Sequence, residues 1–133
     1  MLRSPNFKEP FELAIDASDV GVGAVLSQKD PEGTVHPVAY FSKKLTGPQT
    51  RYSTIEKETL GLILALEHFE VYLSGSCAPI KVFTDHNPLK FINKFKNKNQ
   101  RLVRWSIFLQ EWNLEICHIP GSENRVPDAL SRA

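Results

Sequence analysis

The chain has 133 residues, 16 Lys and Arg against 15 Asp and Glu, four His, and hydrophobic and aromatic shares of 41% and 10%. That suits one compact domain with a core of its own and removes any need for disulfides or a structural metal. No run reaches the ~18 apolar residues of a membrane span and no basic, apolar and small-residue leader opens the chain, so a soluble, intracellular domain without membrane contact is expected.

Residues 1–10, with Pro5 and Pro10 and little periodicity, read as an incoming linker, and residues 11–133 as the domain. Phe11, Leu13 and Ile15 alternate with Glu12, Ala14 and Asp16 in the period of two that marks a strand. A turn at Ala17 to Asp19 leads to a second strand from Gly21 to Gln28. The Asp30-Pro31-Glu32-Gly33 turn leads to a third from His36 to Ser42. Three strands with short connections make an antiparallel meander.

Ser53-Thr54-Ile55-Glu56 is a capping box, with Ser53 as N-cap and Glu56 at N3, and it opens a helix expected to run to about Leu73. Ile55, Leu62, Leu66, Phe69 and Leu73 form its apolar stripe. Ile80 to Thr84 is a fourth strand, reached through a long helix and therefore expected to run parallel to the first. A short turn or helix covers His86 to Ile92. Leu102, Trp105, Leu109 and Trp112 then mark a second long helix that carries Lys98, Arg101 and Arg104 on a neighbouring face. Leu114 to His118 is a fifth strand, Pro120-Gly121-Ser122 breaks it, and Pro127 starts a terminal helix. The order βββαβαβα implies an α/β domain, a mixed sheet with helices packed on it.

The net charge of +1 argues against a polyanionic partner only if the charges are evenly spread, and they are not. Lys90, Lys94, Lys96, Lys98, Arg101 and Arg104 fall in a stretch without a single acid, which leaves 10 basic against 15 acidic residues over the other 118 positions. A solvated helix face is one reading of this stretch. Contact with phosphates is the better one, because a solvated face mixes both signs.

Four carboxylates stand where a solvated face is not expected. Asp16 ends the first strand, Asp85 follows the fourth, Glu58 lies in the first turns of the long helix, and Asp128 follows Pro127. Glu58 shares the core-facing stripe with Ile55 and Leu62, whereas Glu56, about 200° away around the helix, already has a capping role. An unpartnered carboxylate facing a core costs several kcal/mol, so Glu58 must meet a cation or another compensating group. With strands one and four adjacent and parallel, Asp16, Asp85 and Glu58 gather at one sheet edge and suit hard divalent cations, Mg²⁺ or Mn²⁺.

Other motifs carry less. Asp19 reads as a turn residue, and Gly21-Val22-Gly23 as a tight hairpin, since no third glycine and no helix follow. Trp105 and Trp112 read as core residues, and His86 and His118 as structural. Ser53 and Thr54 are caps first, although exposed amides there could bind a phosphate beside Glu58. Cys77 and Cys117, forty positions apart with no CxxC, are expected to be buried free thiols.

Taken in order, Phe11 to Leu26, His36 to Leu45, Tyr52-Ser53 with Glu56-Lys57-Glu58, Phe83-Thr84-Asp85-His86-Asn87-Pro88-Leu89, Pro120-Gly121-Ser122 with Asn124, and Pro127-Asp128-Ala129-Leu130-Ser131-Arg132 resemble the ribonuclease H domain of gypsy-type LTR retrotransposon reverse transcriptases. The resemblance implies a ribonuclease H-like fold, a five-stranded mixed sheet made of a three-stranded antiparallel meander plus two parallel strands. It implies an endoribonuclease that hydrolyses the RNA strand of RNA–DNA hybrids with two Mg²⁺ ions, for which Mn²⁺ substitutes, leaving 3′-hydroxyl and 5′-phosphate ends. Asp16, Glu58, Asp85 and Asp128 are then the catalytic metal ligands. Ser53, Thr54, Lys94, Lys96, Lys98, Arg101 and Arg104 are the expected nucleic-acid contacts.

The resemblance further implies a place in a retroelement polyprotein between polymerase and integrase domains, a monomeric isolated domain, and a cytoplasmic, particle-associated location that allows nuclear presence. Many cellular and retroviral relatives place a His in the loop before the last Asp. Gly121 to Val126 contains none, so activity is expected but weak in the isolated domain. A domesticated, catalytically silent binder of nucleic acid or protein is the alternative, and intact carboxylates argue against it. A third reading is a domain that mainly supports the folding of a neighbouring polymerase.

Overall fold

A computed structural model describes residues 4–76 and 78–118. Strands β1 (Glu12–Ala17), β2 (Gly21–Lys29) and β3 (Val35–Lys44) form the expected antiparallel meander. After helices α1 (Thr54–His68) and α2 (Glu70–Leu73), strand β4 (Ile80–Thr84) joins β1 in parallel. Helices α3 (Pro88–Phe95) and α4 (Gln100–Gln110) then lead to β5 (Leu114–His118), parallel to β4. The sheet order is β3-β2-β1-β4-β5, so β1 has an antiparallel neighbour on one side and a parallel one on the other.

Local chemistry accounts for the turns. Ser18 Oγ accepts the N–H groups of Gly21 (3.2 Å) and Val20 (3.4 Å), closing the bend that follows β1. In the next hairpin Asp30 Oδ1 accepts from Glu32 and Thr34, both at 2.9 Å, and Gly33 takes φ 88°, a conformation that favours glycine. The register of β2 against β3 slips between Leu26 and Ser27, which pair with Ala39 and Pro37 and leave Val38 as the extra residue of a bulge. Pro37 is tolerated because β3 is an edge strand. Upstream, the Gln28 side chain accepts from Asn6 N–H at 2.8 Å and donates to the carbonyls of Asn6 (2.7 Å) and Glu9 (3.0 Å), tying residues 6–9 to β2.

The helices depart from expectation in two places. The first does not run unbroken to Leu73: Phe69 adopts φ −93°, ψ 9° between α1 and α2. Its ring is fully buried and packs edge-on against Phe41, His68 and Tyr72, so packing sets a backbone break that the continuing apolar spacing conceals. The short helix expected over His86 to Ile92 is α3, but the second long helix, expected to carry Lys98, starts only at Gln100, after a 3₁₀ turn at Lys96–Lys98. Asn99 is extended and its Oδ1 accepts from Arg101 N–H at 2.8 Å, so a local cap replaces helical continuation and leaves Lys98 outside α4. Trp112 lies beyond the end of α4 but packs against the core, and Trp105 is buried. Cys117 is a free, half-buried thiol rather than a buried one. The terminal helix and Cys77 lie outside the described residues.

The core lies between the sheet and α1, α3 and α4. Phe11, Leu13, Ile15, Val22, Leu26, Leu62, Leu66, Phe69 and Val82 are each at most 1% exposed, and each contributes about 1.5–3 kcal/mol through removal of its surface from water. Gly61 lets α1 approach the sheet closely: a Cβ there would sit 3.1 Å from Ile15 Cγ2 and 3.4 Å from Val22 Cβ. Gly61→Val is therefore expected to destabilise the fold by about 1–3 kcal/mol through overpacking, read as a fall in the urea midpoint at unchanged slope. An unchanged midpoint would show that α1 can lift off the sheet without cost.

Candidate metal centre

The register of β1 against β4 pairs Leu13 with Val82 and Ala14 with Phe83. Carried two residues further, it sets Asp16 opposite Asp85, at the carboxyl ends of two adjacent parallel strands. Helix α1 packs on β1 and β2, where Gly61 allows close approach, and brings Glu58 to that edge. One ligand atom from each of Asp16, Glu58 and Asp85 lies within 4.8 Å of the others.

Burial makes this cluster costly. Asp16 is 9% and Glu58 6% exposed. Two full negative charges at about 5 Å in an effective dielectric of about 20 repel by about 3 kcal/mol. Burial pushes the Glu58 carboxyl above its ordinary value, and the negative charge of Asp85 pushes the same way. The hydrogen bonds from His86 and Thr84 and the charge of His86 act against it without prevailing. Asp85 Oδ1 is buried and has no hydrogen-bond partner among the described residues. A buried acceptor oxygen without a donor, beside two further carboxylates, suits a hard divalent cation that takes oxygen ligands.

Three of the four carboxylates singled out from the sequence are thus brought together, while Asp128 lies outside the described residues. The two glutamates of the first turns of α1 are separated in the expected way. Glu58 joins the cluster. Glu56 completes the capping box, accepting from Ser53 N–H at 3.2 Å and from Ser53 Oγ at 2.9 Å, while its own N–H donates to Ser53 Oγ at 3.3 Å.

Glu56 also forms an ion pair with Arg101 of α4. Partial burial works against its ionisation, but the Ser53 hydroxyl and amide and the Arg101 guanidinium together hold its carboxyl below the ordinary value. Arg101 lies 4.1 Å from the Tyr52 ring centroid and 5.5 Å from that of Trp105. It ties α4 to the start of α1, a role the sequence pattern did not reveal.

Among the other expected nucleic-acid contacts, Ser53 and Thr54 are exposed at the start of α1, and Lys94, Lys98 and Arg104 are exposed along α3, the turn and α4. The ammonium groups of Lys94 and Lys98 lie 5.3 and 5.8 Å from the Phe95 ring centroid. Lys96 belongs to the turn between them.

Two residues of the site escaped sequence reasoning. His86, read as structural, places Nδ1 2.7 Å from Glu58 Oε2, and the Thr84 hydroxyl donates to the same oxygen at 3.2 Å. Their only signal was adjacency to Asp85. A strand end gives no indication of which helix side chain it will meet.

Residues 6–112 match the family described as the RNase H-like domain found in reverse transcriptase. The Transposon Tf2-3 and Tf2-4 polyproteins of Schizosaccharomyces pombe (strain 972 / ATCC 24843) are each 45% identical to the chain over 134 residues, covering 99% of it and 10% of the polyprotein. The chain thus spans about a tenth of the length of these curated relatives.

A foamy viral protease-reverse transcriptase in complex with RNA/DNA hybrid superposes with a TM-score of 0.71 at 18% identity, over 99% of this chain and 17% of that one. RNase H1 from Halobacterium salinarum NRC-1 gives 0.61 at 19% identity, over 92% of this chain and 95% of that one. At these identities the likeness establishes the fold: the five-stranded mixed sheet and its helices are those of ribonuclease H.

Because the folded state disfavours the charge on Glu58, the stability it contributes is present below the ordinary carboxylate value and is lost as pH rises through the raised one. Metal-free Glu58→Gln is expected to melt above the wild type at neutral pH, the gap closing on acidification, and to lose stabilisation by added Mg²⁺. Thermal melts across pH, with and without Mg²⁺, check this, and a variant melting below the wild type at neutral pH would contradict it.

Proposed function

The chain belongs to the RNase H-like domain family found in reverse transcriptase, and from that membership we propose that it is a metal-dependent endoribonuclease. It hydrolyses the RNA strand of RNA–DNA hybrids during reverse transcription of a gypsy-type LTR retroelement. The observation that carries the reading is the convergence of Asp16, Glu58 and Asp85, from β1, α1 and the end of β4, with ligand atoms within 4.8 Å. Asp128 is the proposed fourth ligand. Two Mg²⁺ ions held there, or Mn²⁺ in their place, would activate a water for in-line attack and stabilise the leaving 3′ oxygen, giving 3′-hydroxyl and 5′-phosphate ends.

The chain's own residues do the rest. Asp16 and Asp85, at the ends of paired strands, supply oxygens whose spacing the sheet fixes, and Glu58 completes the set from the helix above. Lys94, Lys96, Lys98, Arg101 and Arg104 line one stretch that can track a duplex backbone. Ser53 and Thr54 present a helix start to a phosphate near Glu58. Discrimination would rest on the hybrid's shape and the RNA 2′-hydroxyls rather than on base edges. The hybrid-bound foamy viral relative supports that substrate class.

The Tf2 polyprotein matches support a place within a longer polyprotein, where the proposed neighbours are its polymerase and integrase domains. The proposed setting is cytoplasmic retroelement particles, with nuclear presence allowed, and the proposed state of the isolated domain is a monomer.

With a hybrid carrying labelled RNA, the chain is expected to cleave in Mg²⁺ and not in EDTA. Asp85→Asn is expected to lose more than about 100-fold in rate, beyond the usual cost of removing an outer partner of a metal ligand. Equal residual cleavage by both proteins would remove the catalytic assignment, and tight hybrid binding without turnover would point to a silent binder. Lys94→Glu combined with Lys98→Glu is expected to flatten the plot of log affinity for the hybrid against log salt by about 1 for each phosphate that is no longer neutralised. A slope identical to wild type would show that these lysines do not touch the backbone.

A further inference from the structure

The residues on either side of Asp85 both grip a different carboxylate. Glu58 Oε2 accepts from the Thr84 hydroxyl at 3.2 Å and lies 2.7 Å from His86 Nδ1. The His86 backbone N–H donates to Thr84 Oγ at 3.4 Å. Thr84 is 3% exposed, while the His86 side chain is 41% exposed. Building on the metal-centre reading above, we propose that Thr84 and His86 are positioning residues that hold the Glu58 carboxylate in its cation-binding orientation before any cation arrives.

The balance of donors and acceptors gives the clamp its direction. An ionised carboxylate only accepts, so His86 must carry its proton on Nδ1 to bond Oε2. A hydroxyl has one proton. With the His86 amide already donating to Thr84 Oγ, that proton is free to point at Glu58. Both donors fall on Oε2, leaving Oε1 without a protein donor among the described residues and available to a cation.

The arrangement also joins two separate elements, since Glu58 rides on α1 and its donors on the end of β4. Without them, a carboxylate beside the like charge of Asp85 would turn away and have to be recovered at the expense of cation binding. Outer partners that orient a ligand are worth about 10–100-fold in metal affinity or activity.

Mn²⁺ alone serves as the probe, its binding to the 133-residue chain followed by the loss of the free-ion paramagnetic resonance signal. His86→Ala is expected to weaken binding by about 10–100-fold. His86→Asn, whose amide nitrogen can stand near the place of Nδ1, is expected to restore it, and hybrid cleavage by His86→Ala should recover at saturating metal. Thr84→Val removes only the second donor and should weaken binding in the same direction, which keeps the clamp testable if His86→Ala folds poorly.

Wild type that binds Mn²⁺ while both His86→Ala and Thr84→Val bind equally well would overturn the clamp alone. Loss in His86→Asn equal to that in His86→Ala would also overturn it, since no donor would then matter. Wild type that binds no Mn²⁺ would overturn the metal centre and the clamp with it.

Discussion

The burden around which this structure is arranged is electrostatic: three carboxylates, buried or half-buried, held within 4.8 Å of one another. Each would be solvated and distant in the unfolded chain. Gathering them is favourable only because the hydrophobic core between the sheet and its helices outweighs the cost, and because a divalent cation can reverse the sign of the interaction. Asp85 Oδ1, without a hydrogen-bond partner among the described residues, and the raised Glu58 carboxyl are two signs of the same tension. A site prepared for cations is in this sense a defect of the metal-free fold.

Two glutamates on one helix show how position decides character. Glu56 and Glu58 stand two residues apart on α1, yet their carboxyls are displaced in opposite directions. Glu56 meets the Ser53 cap and Arg101, so ionisation suits it and the charge helps join α1 to α4. Glu58 turns inward toward other acids, with only neutral or weakly basic donors near it. One serves the architecture and the other serves the site. Their separation of about 200° around the helix axis keeps the two roles from interfering.

Charge is partitioned on the larger scale as well. The acidic surplus contributes to the strand-end cluster, and the cationic stretch forms the α3–turn–α4 corner, where Lys94 and Lys98 flank Phe95. Cations bound at the carboxylates would extend the positive potential met by a polyanion, so the chain's near-neutral balance understates what a duplex would encounter.

Five strands, the capping box and the placing of Asp16, Glu58 and Asp85 at element ends were legible in the sequence, because alternation, cap chemistry and turn residues are local signals. The apolar spacing through Phe69 could not reveal the break between α1 and α2, since packing of one buried ring caused it. The extended Asn99 likewise starts α4 beyond Lys98, which the apolar spacing had placed on the helix, although its capping chemistry was present in the residue itself. The bond from His86 to Glu58 spans 28 positions and the Arg101–Glu56 pair 45. By itself, then, the sequence determined which residues could carry the chemistry and on which elements they would sit. Only the tertiary structure decided which of them meet, because contacts between distant elements follow from strand register and packing, to which no local pattern is sensitive.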